Sequence, residues 1–414
     1  MPNKTTFDTH FFANNRYKLR EVAGSVPIVL TANGLLQRSA DTTFPYQQDK
    51  SFWYLTGINE PDVVMVMDGA AEYLIVPGRS SNREAFDGSI DRDALSKISG
   101  ITKVYDEQEG WEKLAILVRK TKAMGMMEPA ASYIDTYGMF TNPARKRLAG
   151  RLLKLKPGLL LEDLRPTVAS MRMIKQEPEL AAIREAIDVT AKGLNIVTLP
   201  TNLRHYRHEY EIEADLSRAF RRTGAGGHAF APIVASGKRG VTLHSVSNDG
   251  AIAKNDLIVI DVGAEVRQYA ADITRTVIAG EPSKRQQQVF DAVHDVQLYA
   301  LSLLKPGAIM KDYEAEVQQY LGGKLIELGL IKTAEPAAIR AYFPHASSHF
   351  LGLDVHDAGD YSRPLEPGVV LTCEPGIYIP EEGIGVRIED DVLITEDGHD
   401  VLSSQIPSQL VGNQ

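Results

Sequence analysis

A single cysteine, Cys373, occurs among the 414 residues, so no intrachain disulfide is possible. That scarcity fits a reducing compartment. Long apolar runs are missing too, and nothing in the sequence approaches the length needed to span a bilayer. The first residues, MPNKTTFDTHFFANNRYK, lack an apolar segment and carry Asp8 early, unlike a secretory signal. Basic charge is in deficit: 45 Lys and Arg against 54 Asp and Glu give a net charge of −9. An acidic chain without a basic stripe is repelled by a phosphate backbone, which argues against nucleic-acid binding. The densest basic run, Arg145-Lys146-Arg147 with Arg151 and Lys154, recurs at helical spacing and reads as a solvated helix face. No internal repeat or low-complexity tract appears. The expectation is a cytoplasmic protein with no membrane or nucleic-acid partner.

What is present is ordinary globular material, 43% apolar and 24% charged, and too long for one core. The first part alternates short strands (26–30, 63–67, 73–76) with helical periodicity at 112–119 and 144–156. Asp68-Gly69-Ala70-Ala71 supplies hairpin chemistry between two of those strands. Near residue 175 the pattern changes. Gln176-Glu177-Pro178-Glu179 is a helix start, followed by Leu180, Ile183, Ile187 and Leu194 on one face. We place a domain boundary there, with an α/β lead domain over 1–174 and a second domain over 175–414. The second domain alternates helices (209–222, 284–304, 311–328) with closely spaced β segments (257–265, 269–279, 368–378, 384–395). Such closeness predicts hairpins, and hence an antiparallel sheet covered by helices, an α+β arrangement within an overall α/β class.

Two of these hairpins present acids in pairs. A turn near Val266-Arg267 sets Asp261 opposite Asp272, about 5 Å apart at Cβ. A turn centred between Glu381 and Glu382 sets Glu374 opposite Glu389. Singly, each is an ordinary strand-end or loop-entry acid. Like charges directly opposed destabilise a sheet, however, and four converging carboxylates need multivalent cations. Between the hairpins, residues 345–357 hold His345, His349 and His356, three of only ten histidines in the chain. One imidazole with four carboxylates is mostly hard oxygen ligation, which suits Mn²⁺ better than a structural zinc site does. Two such ions sharing carboxylates would acidify a water enough to attack a carbonyl near neutral pH. Cys373, with no helix start or base beside it, reads as a small core residue.

The stretches IDVGAEVRQYAADITRT, HFLGLDVHD, LTCEPGIYIP and GVRIEDDVLIT, in this order across most of 175–400, resemble the creatinase/aminopeptidase P/prolidase family with its pita-bread catalytic fold. DTTFPYQQDKSFWYLTGINEP resembles the lead domain of the aminopeptidase P branch, although Pro-Tyr-Gln-Gln stands where that branch more often has an arginine. The resemblance implies that Asp261 holds one metal ion, Asp272 and Glu389 bridge two, and His349 and Glu374 complete the second. It implies Glu374 as general base, His356 as a hydrogen-bond partner of the scissile amide, and His244 and His345 as further substrate histidines. Tyr378 and Arg387 would orient the ligands. It implies an exopeptidase acting on peptides with proline in second place, by way of a water bridging two divalent ions, and a homodimer or homotetramer. Prolidase-type dipeptidases share all five ligands and stay open as an alternative. A non-catalytic peptide-binding module on this fold would have lost ligands; none is lost here.

Overall fold

The structure, a computed structural model, describes residues 7–129 and 138–410. The chain forms two compact units, Met1–Met171 and Arg172–Gln414.

The first unit is built on a six-stranded sheet in the order 104–105, 71–75, 64–68, 28–31, 123–126, 160–163. Its middle strands, Ile28–Thr31, Val64–Asp68 and Ala71–Ile75, pair antiparallel, and the flanking pairs are parallel. The Asp68–Ala71 pair closes the predicted hairpin, with Gly69 at φ +55°. Helices Glu107–Lys120 and Ala144–Leu155 bury Leu114, Val118, Leu148 and Leu152 against Val29, Val66 and Met124. The i, i+4 spacing of those leucines and valines makes the apolar stripe. On Ala144–Leu155, Lys146, Arg147, Arg151 and Lys154 are exposed as the periodicity implies, but Arg145 departs from the expected solvated face: it is half-buried and donates to Asp49 Oδ2 at 2.8 Å. The helix Thr9–Ala23 has no counterpart in the periodicity reading. Its buried face carries Asn15 and Arg16, which bond the Tyr54 and Leu55 carbonyls, so the apolar pattern is interrupted.

The second unit is antiparallel throughout. Leu257–Val262 lies between Ile233–Ser236 and Ile273–Ile278. Val370–Cys373 pairs with Asp390–Ile394, and Gly376–Ile379 with Ile384–Arg387. Helices Glu177–Val197, Glu209–Thr223, Lys284–Leu303 and Met310–Glu327 accompany these strands. Val289, Phe290 and Val293 share one core with Leu371, Val386 and Ile388. Pro178 sits in the first turn of its helix, where the Gln176 N–H donates to Glu179 Oε2 at 2.9 Å. Among the described residues no helix is long and apolar enough to cross a membrane.

The two hairpins differ in how well their register was read. In the second, Val370–Cys373 faces Leu393–Asp390 and Gly376–Ile379 faces Arg387–Ile384. The same pairing continues on both sides of a short break, which leaves Glu374 and Glu389 at facing positions. In the first, Asp261 faces Thr274, not Asp272. The turn lies at Arg267-Gln268, with φ of 50° and 74°. A two-residue hairpin turn of this hand needs positive φ at both positions, which the β-branched Val266 resists. The slip is two residues, so parity is preserved and Asp261 and Asp272 keep the same face. A Cβ on Gly263 would meet the Ala271 carbonyl oxygen at 1.6 Å, so the strands cross closely where the ladder breaks.

Candidate active site

Both hairpin breaks and the histidine segment converge on one site. Residues 347–351 run antiparallel along the edge strand 370–373, through Glu374 N–H to Ser347 O, Thr372 N–H to His349 O and Leu351 N–H to Val370 O, at 2.9–3.0 Å. This places His349 beside Glu374, with Nε2 3.4 Å from Glu374 Oε1 and 3.5 Å from Asp272 Oδ2. Atoms of Asp272, His349 and Glu389 all lie within 4.8 Å of one another. The other imidazole nitrogen, Nδ1, donates to the Phe350 carbonyl at 3.0 Å, which leaves the Nε2 lone pair facing the acids.

Arg387 ties the remaining groups together. It donates to Asp261 Oδ2 at 2.5 Å, to Tyr378 Oη at 3.0 Å and to Thr274 Oγ1 at 3.1 Å. Tyr378 in turn meets His345 Nε2 at 2.9 Å, and Thr274 donates to Glu389 Oε2 at 2.6 Å. His345 Nδ1 lies 3.5 Å from Glu374 Oε2. The His356 ring meets the His349 ring at 4.3 Å, near edge-on. His244 is exposed on the 242–246 loop, and its charge bears on both His345 and His356.

The electrostatics are those of a cation site. Burial, then the charges of Glu389 and Asp261, push Asp272 well above the usual carboxylate range; burial, then Glu374 and Asp261, do the same to Glu389. Burial raises Glu374 to about 8 against the opposing charge of Arg387. Burial, then His356, lowers His349 to about 4, and burial, then Arg387, lowers His345 to about 3. Asp261 Oδ1 is buried with no hydrogen-bond partner. A neutral imidazole nitrogen aimed at several carboxylates, and an orphaned carboxylate oxygen, are what a divalent cation would satisfy. The donor set fits hard, oxygen-preferring metal ions.

Residues 181–396 match metallopeptidase family M24, and residues 12–124 match the aminopeptidase P N-terminal domain. The first match spans more than half of the chain. The chain belongs to family M24. It is a metallo-aminopeptidase. Xaa-Pro aminopeptidase of Escherichia coli (strain K12) is 34% identical, over 92% of this chain and 91% of that protein. Human Xaa-Pro aminopeptidase 3 is 30% identical, over 92% of this chain and 79% of its own length. Among solved structures, Pseudomonas aeruginosa aminopeptidase PepP superposes with a TM-score of 0.86 at 29% identity, covering 97% of this chain and 96% of that one. Zinc-substituted E. coli aminopeptidase P in complex with product gives 0.84 at 31% identity, with the same coverage.

In this M24 enzyme the motif reading overlooked a layer of supporting residues. Thr274 bonds Glu389, Thr372 lies 3.3 Å from Glu374 Oε1, and Asp391 Oδ2 accepts the Asp272 N–H at 3.2 Å. Each stands two residues from a predicted ligand. The period-two rule of a strand puts such neighbours on the ligand's own face, and that was the signal available. Glu314, which accepts the Ser347 N–H at 2.9 Å, comes from a helix and carried no such signal.

Proposed function

We propose that this enzyme releases the first residue of peptides whose second residue is proline. The observation that carries the reading is the convergence of Asp272, Glu374 and Glu389 on the neutral face of His349, with the unpartnered Oδ1 of Asp261 close enough to raise all three acids. Support for the proline preference comes from relatives described as Xaa-Pro aminopeptidases and from the match of the N-terminal region to the aminopeptidase P lead domain. Residues 1–174 are read as that lead domain and 175–414 as the catalytic domain. The protein is read as cytoplasmic and as a homodimer or homotetramer.

Asp261, Asp272, His349, Glu374 and Glu389 would hold two divalent ions, Mn²⁺ by the hardness of the donors. Bound there, the ions would acidify a water and polarise the scissile carbonyl. The protein's own residues do the rest. Glu374, ionised once it faces the ions, takes the proton of the attacking water on a side-chain oxygen and delivers it to the leaving proline nitrogen. His356 donates a hydrogen bond at the scissile amide, and His244 and His345 line the substrate's path. Arg387 and Tyr378 hold Asp261 and His345 in place.

His356→Ala is expected to keep both ions and lose at least about a hundredfold in turnover, the scale of one donor lost from the transition state. Near-full activity in that variant would remove His356 from the mechanism. The deciding experiment offers Xaa-Pro, Xaa-Pro-Yaa and longer peptides side by side with Mn²⁺ and identifies products by mass. An aminopeptidase leaves the far side of the proline pocket open, so release of the first residue should be faster from Xaa-Pro-Yaa than from Xaa-Pro. Alanine in second place should cost about tenfold or more as the ring's apolar contacts vanish. Cleavage confined to Xaa-Pro dipeptides would move the assignment to a prolidase.

A further inference from the structure

Outside the ligand cluster, one buried carboxylate gathers donors from both ends of a loop that carries a substrate histidine. Glu209, at the start of the helix Glu209–Thr223, is fully buried. Its Oε1 accepts the Ser236 N–H at 2.8 Å and the Ser236 hydroxyl at 3.0 Å. Its Oε2 accepts the Gly250 N–H at 2.9 Å and lies 3.2 Å from Arg239 Nε. The Glu209 N–H donates to the Gly250 carbonyl at 3.0 Å. Ser236 and Gly250 bound the loop that has His244 at its middle. Arg239 reaches on to Ser247 Oγ and Asp249 Oδ1, at 2.5 and 2.6 Å.

One helical turn further, Glu213 joins the same device. Asn248, buried at φ +48°, donates to Glu213 Oε2 at 2.8 Å and to the Pro232 carbonyl at 2.9 Å, and accepts the Val234 N–H at 2.9 Å. Two acids at i and i+4 on one helix thus hold the base of the loop. A Cβ on Gly385 would lie 1.9 Å from the Gly240 carbonyl oxygen, so the loop also presses on the strand that leads to Arg387. Thr242, His244 and Val246, by contrast, are exposed.

We infer that Glu209 is a positioning residue that staples the two ends of the 236–250 loop together and thereby presents His244 to the substrate. The inference rests on the reading of His244 as a substrate histidine. The chemistry requires a carboxylate: donors arrive at both oxygens, and an amide has only one acceptor atom. In Glu209→Gln the amide nitrogen must face an N–H of Ser236, or else an N–H of Gly250 beside the Arg239 guanidinium, so one end of the loop loses its anchor.

The test uses the full chain loaded with Mn²⁺. It compares wild type, Glu209→Gln, His244→Ala and the double variant on an Xaa-Pro-Yaa peptide, with hydrogen exchange followed across 237–250. Glu209→Gln should keep its ions and lower kcat/KM about tenfold. Exchange in the loop should rise about tenfold or more while the 257–262 strand stays protected. The double variant should lose no more than His244→Ala alone, because both changes remove the same contact. Asn248→Ala, which leaves Glu209 intact, should repeat the pattern and serves if Glu209→Gln does not fold. Unchanged loop exchange, or losses that multiply in the double variant, would overturn the inference. An inert His244→Ala with a loosened loop would remove His244 from the substrate path while leaving the staple itself standing.

Discussion

Stripped of divalent ions by a chelator, the enzyme is expected to lose all measurable turnover and to regain it when Mn²⁺ is returned. The same treatment should destabilise the fold in a pH-dependent way. Without ions, burial raises Asp272, Glu374 and Glu389, so these groups keep protons that the unfolded chain gives up at its ordinary carboxylate pKa. A raised carboxylate pKa contributes stability that is complete below the unfolded value and is lost as pH climbs through the folded one. For Glu374 that window runs from 4.5 to about 8. His349, lowered to about 4, is neutral over most of this window and has little proton to shed on binding. Ions therefore compete mainly with carboxylate protons, and their advantage grows with pH. Thermal melts of loaded and ion-free protein should differ little near about pH 5 and most near about pH 8. A difference that is flat or reversed across that range would remove the carboxylate cluster as the ion site.

Glu374→Gln should be nearly as severe. It removes a charge from the ion site and the proposed proton carrier in a single step, while the amide stays close to isosteric. We expect a loss of at least about 10³ in turnover, the upper part of the range for a positioned acid–base group. The bond from Thr372 to position 374 and the burial of the site should survive, so the folded protein should remain soluble and cooperative in a melt. Measuring bound metal separates the two roles. A variant that keeps both ions yet does not turn over would assign the loss to the proton transfer, and one that loses an ion would assign it to ligation. Activity within tenfold of wild type would exclude both.

How far these residues were legible in the sequence depended on what kind of signal each gave. Glu374 and Glu389 face each other as expected because the turn candidate Glu381-Glu382-Gly383 carries a glycine, at φ +62°, where the hairpin does turn. Asp261 and Asp272 were placed on the right face but in the wrong row, because the turn at Arg267-Gln268 has no glycine or asparagine to announce its positive φ. Thr274, Thr372 and Asp391 share a face with the ligands by period two, yet threonine and aspartate are so common on strands that nothing singles them out beforehand. The Thr9–Ala23 helix was hidden because two of its core-facing positions are polar and find their partners only in the folded unit. Glu209 was invisible for the same reason. Its meaning lies in Ser236 and Gly250, which tertiary structure alone brings to it.

The buried state of Cys373 has a practical consequence for spectroscopy. It is the only sulfhydryl in the chain, it is fully buried, and burial pushes its thiol far above the ordinary range, so at neutral pH a maleimide should find nothing to modify. The unaltered protein is thus already a dark background for single-site labelling. A cysteine introduced at exposed Val246, two residues from His244, would be its sole reactive thiol. A fluorophore there would sense peptide arriving beside His244, in solution and in real time.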